Sequence, residues 1–376
     1  MAGPQAGASH VTPLHVAVDA SRLLSDRRGM GRYVRNVLRA LWRDQDELRT
    51  TLHASHARDA ASITSWLRDV APDAVPRVQV DTLATLRDTT AHVVWYPWNF
   101  LTHVPATTPV VVTIHDIAPM LQLDHRWWKL MKRWRFARMY RQAAGRAQRI
   151  LTVSRFSGEE TTRHLGVPAS RITVTPLAAD DLPLEVPDDR EMLSRVSGLG
   201  PYFLTVGGRD GRKNLGLLDT AMQRLWAEGM QVPLVQCGPW RAQGARAKQP
   251  WLHEVGYVSD AQLVTLYRHA TALVFPSRYE GFGLPVVEAM RAGCAVIAAE
   301  GSSLTEVCGG GAALVNWNDA DGLARTMRRV LNEPAYRGAL QSAGAARALA
   351  LSWAGTARAT YAVLLDASGG RHPERP

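Results

Sequence analysis

The sequence predicts an α/β protein of two doubly wound, Rossmann-like domains facing each other across a cleft. Three observations carry that expectation. The chain has 376 residues, enough for two domains with a core each. Short apolar runs that read as strands alternate with stretches of helical spacing through both halves, the pattern of parallel sheets covered by helices. Between the halves lies an acidic, proline-bearing stretch, Asp180 to Arg190, that reads as a linker. The expected boundaries are a flexible leader 1–12, an N-terminal acceptor-side domain 13–182, a linker 183–190 and a C-terminal domain 191–350. A C-terminal helix 351–366 and a disordered tail 367–376 complete them.

Composition narrows the class. With 46% hydrophobic and 21% charged residues, the chain resembles an ordinary globular protein. No stretch approaches the roughly 18 uninterrupted apolar residues of a transmembrane helix. The first residues lack the basic region and apolar core of a secretory signal. Cys237, Cys294 and Cys308 show no paired metal spacing and read as free thiols in a reducing compartment, the cytoplasm. A net charge of +10 suits nucleic acid, anionic lipid or anionic substrates, so its placement matters more than its sum.

In chain order, residues 14–20 read as the first strand of a parallel sheet. A loop with Arg27, Arg28, Gly29, Met30 and Gly31 follows, and a helix is expected from about Arg32, with Val34, Val37 and Leu38 on its apolar face. Ser62 to Val70 reads as a further helix. Residues 92–98 run from strand into an aromatic loop, and Val110 to Ile114 form a strand ending in His115 and Asp116. Ligands of open α/β sheets gather outside the carboxyl ends of strands, which makes His115 a candidate. Asp116 is expected to bond backbone N–H groups of its own turn.

Residues 125–149 carry nine arginines and lysines, with no acidic residue between Asp124 and Glu159. Trp127, Leu130, Met131 and Trp134 recur at helical spacing. Such a helix suits an anionic membrane surface, and equally a face whose tryptophans pack inward while its cations are solvated. No nucleic-acid recognition motif accompanies the charge. Residues 150–157 read as a strand ending in hydroxyls that cap the next helix, and Ile172 to Pro176 as another strand.

The second half opens with a strand at 202–206, then Gly207-Gly208-Arg209-Asp210-Gly211-Arg212-Lys213-Asn214 at a strand-to-helix junction. Flexible glycines beside clustered cations there suit phosphate, with Lys213 the first choice for a diphosphate and Arg212 the second. Strands follow at 232–237, 251–257, 272–275, 295–298 and 312–315. Ser302 and Ser303 suit either phosphate or a helix cap. Between the last strands lies Ser277 to Met290, with Glu280 on a glycine loop and Glu288 inside a helix that Pro285 begins. Two carboxylates beside a helix N-terminus fit hydroxyls of a sugar and a ribose flanking a phosphate.

This Glu-x7-Glu arrangement around Gly281-Phe282-Gly283-Leu284 resembles that of family 4 retaining glycosyltransferases, which have the GT-B fold. Gly-Met-Gly-Arg-Tyr at 29–33, His115-Asp116, Thr-Val-Ser-Arg-Phe-Ser at 152–157 and Arg212-Lys213-Asn214 extend the resemblance from Asp19 to Trp353. It implies transfer of a hexose from a nucleoside diphosphate sugar to an acceptor hydroxyl with retention. No Asp-x-Asp metal motif stands in a plausible position, and the cations remove the need for a divalent metal, so neither metal nor cofactor is expected. The resemblance places His115 and Glu280 at the donor sugar and Glu288 at the ribose. It sets Gly281, Phe282, Gly283 and Leu284 beside sugar and phosphates, and Gly29, Gly31, Gly207 and Gly208 in phosphate- or acceptor-side loops. Leu177-Ala178-Ala179 departs from the family's usual Pro-Asn-Gly, and Gly207 and Gly208 stand where many members carry an arginine. The phrases at 19–23 and 115–119 resemble bacterial mannosyl- and rhamnosyltransferase-like members, which favours GDP-mannose. A sugar-nucleotide epimerase or phosphorylase of the same fold, or a non-catalytic basic nucleic-acid- or lipid-binding protein, are the rivals. The expected partners are the nucleotide sugar, an unidentified acceptor and an anionic membrane, with no nucleic acid.

Overall fold

The computed structural model describes residues 13–26, 29–121, 127–208, 210–238 and 249–369. The leader 1–12, Arg27, Arg28, Arg126, Arg209 and the tail from 370 lie outside the described residues, as do the side chains of 127–130 and 132.

Apolar runs too short for helices become the strands of two sheets. β1 (His15–Asp19), β2 (Arg49–Ala54), β3 (Val78–Thr82), β4 (Val93–Tyr96), β5 (Val110–Ile114), β6 (Arg149–Thr152) and β7 (Ile172–Val174) take the order β3-β2-β1-β4-β5-β6-β7. β8 (Phe203–Val206), β9 (Leu234–Cys237), β10 (Leu252–Gly256), β11 (Ala272–Phe275), β12 (Val296–Glu300) and β13 (Ala313–Asn316) take the order β10-β9-β8-β11-β12-β13. β1 pairs parallel with β2 and β4, and β8 pairs parallel with β9 and β11. Strand order therefore reverses beside β1 and beside β8, the switch points where open sheets bind ligands.

The chain divides into two compact units, 1–113 with 142–150 and 357–376, and 114–141 with 151–356. In the first, Tyr33, Trp42, Trp95 and Tyr96 are fully buried, and each indole finds an acceptor. Trp95 Nε1 donates to Thr113 Oγ1 at 2.9 Å and Trp42 Nε1 to Thr50 Oγ1 at 3.1 Å, as buried polar groups require. In the second, Phe203, Leu234, Val274 and Ile297 on the strands meet Leu218, Met222, Leu323 and Met327 on the helices Leu215–Ala227 and Ala320–Asn332. That core fixes the strand ends from which the functional loops spring.

Two local readings change. The helix expected from Arg32 begins at Gly29 and runs to Asp44, so Gly29 and Gly31 lie in its first turn and not in a loop. Arg35 Nη1 donates to the carbonyls of Leu23 and Asp26 at 2.8 Å each, tying the preceding turn to the helix. A Cβ at Gly31 would come within 1.8 Å of the Asp26 oxygen, so packing against the turn requires that glycine. The strand expected over 150–157 stops at Thr152, because Ser154 Oγ accepts from Ser157 N at 3.0 Å and starts the helix Arg155–Leu165.

The basic stretch is helical from Trp127 to Arg146. Ala137, Tyr140, Ala143 and Ala144 are buried, whereas Met131 is 69% and Trp134 65% exposed. Inward packing therefore does not account for Trp134. Arg133, Arg135, Arg138 and Arg141 are exposed around it, and the Arg138 guanidinium lies 6.0 Å from its ring centroid. Among the described residues, no helix is long and apolar enough to cross a membrane.

Candidate active site

The loops after β8 and β11, which flank the switch point of the second sheet, meet in the second unit. After β8, Gly207 takes φ +134°, and a short 3-10 turn at Gly211–Lys213 follows. Asp210 caps that turn, its Oδ1 accepting from Arg212 N at 3.0 Å. Asn214, in the left-handed region at φ +55°, then starts the helix Leu215–Ala227. Asn tolerates that conformation better than most residues. Its side chain donates to Trp317 O at 2.7 Å and accepts from Arg278 Nε at 3.1 Å. Arg278 N donates to Arg212 O at 2.8 Å, which joins the two loops through their backbones.

Lys213 Nζ lies 2.8 Å from Glu280 Oε1 and 4.6 Å from the Phe275 ring centroid. Both side chains are mostly covered, 20% and 13% exposed, so this charge-assisted bond is only weakly screened. Arg212 Nε donates to Asp210 Oδ2 at 2.8 Å, and Arg212 Nη1 lies 3.8 Å from Asp116 Oδ2. Two cations thus meet three carboxylates. Burial works against the Arg212 charge, but Asp116, Asp210 and Glu280 outweigh it and raise its pKa. Burial also pushes the Asp116 carboxyl above the ordinary range, with Arg212 and the Ala118 N–H pulling it down.

Asp116 does what its turn suggests, accepting from Ala118 N at 2.9 Å. Its raised pKa makes a prediction. The folded carboxyl keeps its proton to higher pH than the unfolded one at 3.8, so stability falls as pH rises through that interval. Asp116→Asn, which cannot ionise, is expected to unfold at a higher temperature than the parent at neutral pH. The difference closes as pH drops below 3.8. Calorimetry across pH checks this, and a difference that grows on acidification contradicts it.

Gly281 is held from both sides. Its carbonyl accepts from Ser154 Oγ at 2.6 Å and Ser157 Oγ at 3.0 Å, and Ser157 Oγ also reaches His115 O at 2.8 Å. A Cβ on Gly281 would stand 2.3 Å from that His115 oxygen. Ser303 Oγ donates to the carbonyls of Glu280 and Phe282, each at 2.9 Å, and Ser302 Oγ accepts from Glu280 N at 3.3 Å. The serines thus shape the glycine loop, and the Ser303 side chain does not cap the helix that follows it. Sequence reasoning assigned Ser154 and Ser157 only to capping. The spacing of hydroxyls in Thr-Val-Ser-Arg-Phe-Ser was the signal for more.

Gly283, at φ +99°, precedes the helix Leu284–Arg291, where Pro285 sits in the first turn as expected. Phe282 and Leu284 are buried. Glu288 lies in that helix at 5% exposure and accepts from the Tyr267 hydroxyl at 3.1 Å. Burial, with a smaller contribution from the Glu288 charge, pushes the Cys237 thiol up to about 12. The structure therefore brings together Arg212, Lys213, Glu280 and Gly281, with the His115 backbone carbonyl against Gly281, and Gly207 beside the Lys213 stem, where a Cβ would meet Lys213 Cε at 3.3 Å. Gly208 follows in the same loop. Glu288 sits in its own buried pair with Tyr267, and Gly29 and Gly31 belong to the other unit.

A pair of cations beside a helix N-terminus can hold a diphosphate, and carboxylates within reach can accept hydroxyls of a sugar. Comparison with known proteins agrees with that chemistry. Residues 27–181 match the family model Glycosyltransferase Family 4, and residues 195–347 match Glycosyl transferases group 1. The O-antigen chain mannosyltransferase B of Escherichia coli is 34% identical over 219 residues, 55% of this chain and 58% of that protein. The MMP alpha-(1->4)-mannosyltransferase of Mycolicibacterium hassiacum is 29% identical over 273 residues, covering 68% of this chain and 64% of that one. The matches thus span under two thirds of these relatives' lengths. In three dimensions, the Anabaena protein HepE crystallised with UDP and glucose superposes with a TM-score of 0.71 at 15% identity, covering 94% of this chain and 100% of that one. The two parallel-sheet α/β domains are those of the GT-B fold. The chain belongs to glycosyltransferase family 4.

Proposed function

We propose that this protein transfers mannose from GDP-mannose to an acceptor hydroxyl of a polysaccharide precursor, with retention at the anomeric carbon. The observation that carries the reading is the meeting of Lys213 and Glu280 at 2.8 Å, with Arg212 alongside, at the switch point of the second sheet. Lys213 and Arg212 offset charge developing on the departing diphosphate, help aimed at the transition state, and so take the task a divalent metal would otherwise have. Glu280 and His115 position the donor sugar, and Glu288 exchanges its Tyr267 bond for the ribose. The departing phosphate accepts the acceptor's proton, so Glu280 forms no covalent intermediate. The curated relatives named above as mannosyltransferases support the sugar.

A thermal-shift panel of GDP-, UDP- and dTDP-sugars, followed by measurement of nucleoside diphosphate release with and without acceptor, tests this. GDP-mannose is expected to give the largest shift, and release to require acceptor beyond slow hydrolysis. Stabilisation by none of the panel overturns the reading.

The same reading places the enzyme at the cytoplasmic face of an anionic membrane, held by the helix Trp127–Arg146. The exposed Trp134 and Met131 amid arginines support it. Replacing Arg133, Arg135 and Arg138 together by glutamine is expected to weaken binding to phosphatidylglycerol vesicles about a hundredfold, at about 1 kcal/mol per cation. Sedimentation at low salt measures it. Parent protein that stays in the supernatant contradicts the membrane contact.

A further inference from the structure

Asp210 has no task in the reaction as described, yet its carboxylate is built into the loop that carries both cations. Its Oδ1 accepts from Arg212 N at 3.0 Å and its Oδ2 from Arg212 Nε at 2.8 Å, while its own carbonyl accepts from Lys213 N at 2.9 Å. The carboxylate must therefore move with the loop. A guanidinium grips phosphate best through a fork of two parallel N–H groups. Asp210 engages Nε, so the fork that includes Nε is closed to phosphate unless that bond breaks. Asp116, 3.8 Å from Arg212 Nη1, stands on another side of the same group. Hydrogen bonds from Arg212 hold Asp210 below the usual carboxylate range despite partial burial, so it is ionised at neutral pH.

We infer that Asp210 is a positioning residue that competes with the diphosphate for Arg212 and so limits how tightly the released nucleoside diphosphate is retained. This rests on the proposed role of Arg212. The released diphosphate carries the whole of the negative charge that only begins to build in the transition state, so each cation that helps bond breaking also holds the product. A carboxylate that stays bonded to Arg212 offsets part of that hold, and the product leaves more easily for it.

The test is calorimetric titration of GDP into the full-length protein and into Asp210→Asn and Asp210→Glu, with the product-inhibition constant measured in parallel. Asparagine keeps an oxygen for the Arg212 N–H, so the turn retains its cap. Asp210→Asn is expected to bind GDP about threefold more tightly, the size of a partly exposed ion pair. The inhibition constant falls by the same factor, and the difference shrinks as salt is raised. Asp210→Glu is expected to stay close to the parent. A residue that merely supported the turn would weaken GDP binding when replaced. Equal or weaker binding by Asp210→Asn, with GDP bound by the parent, therefore overturns the inference alone. A parent that binds neither GDP nor UDP overturns both this and the proposed function.

Discussion

Lys213→Ala is expected to lower kcat by about a hundredfold to a thousandfold, the usual effect of removing one preorganised group that meets transition-state charge. Two losses combine. The departing diphosphate forfeits its nearest ammonium, and Glu280 keeps a largely covered carboxylate with its 2.8 Å partner gone. An unpaired carboxylate in that position repels the anionic donor, so the KM for the donor rises as well. Lys213→Arg restores charge but not shape. The Nζ sits 4.6 Å from the Phe275 ring centroid and 2.8 Å from Glu280 Oε1, an arrangement that a bulkier planar guanidinium does not reproduce, and recovery is expected to be partial. Steady-state kinetics with GDP-mannose measures both constants. A kcat within about twofold of the parent would reduce Lys213 to a structural partner of Glu280.

Gly281→Ala is expected to lower both stability and turnover. The new carbon would lie 2.3 Å from the His115 carbonyl oxygen and 2.9 Å from Asp116 Cβ. Neither side can retreat cheaply, because Ser157 bonds both the His115 and Gly281 carbonyls and Ser154 holds Gly281 again. The glycine loop must shift, carrying Glu280 away from Lys213. Overpacking of this kind costs about 1–3 kcal/mol of stability. Misplacement of Glu280 by an ångström is expected to cost about a hundredfold in turnover besides. Thermal unfolding and activity separate the two effects, and near-parental turnover would contradict the role assigned to the loop. Ser157→Ala, which removes the bonds without adding bulk, is expected to do less.

The fold was legible because burial on both faces of a parallel sheet leaves continuous apolar runs. Val110–Ile114 and Ala272–Phe275 stand where the sequence places them. Element ends were less legible. Gly29 looked like a loop residue because nothing in the local sequence reveals Arg35 reaching back to Leu23 and Asp26. The Glu280 loop and the Lys213 loop could be found singly, each by glycines beside charge. Their meeting could not, since Lys213 and Glu280 are 67 positions apart. Nor does spacing show that Ser154 and Ser157 reach Gly281, more than 120 positions on. Glu288 was legible as a helical residue, but its burial against Tyr267 depends on a different helix, Asp260–His269.

The most direct test of the account is a crystal structure of the protein soaked with GDP-mannose. The account predicts the diphosphate within hydrogen-bond reach of Lys213 Nζ and the Arg212 guanidinium, with a mannose hydroxyl donating to Glu280. A donor seated elsewhere, its diphosphate touching neither cation, would contradict it.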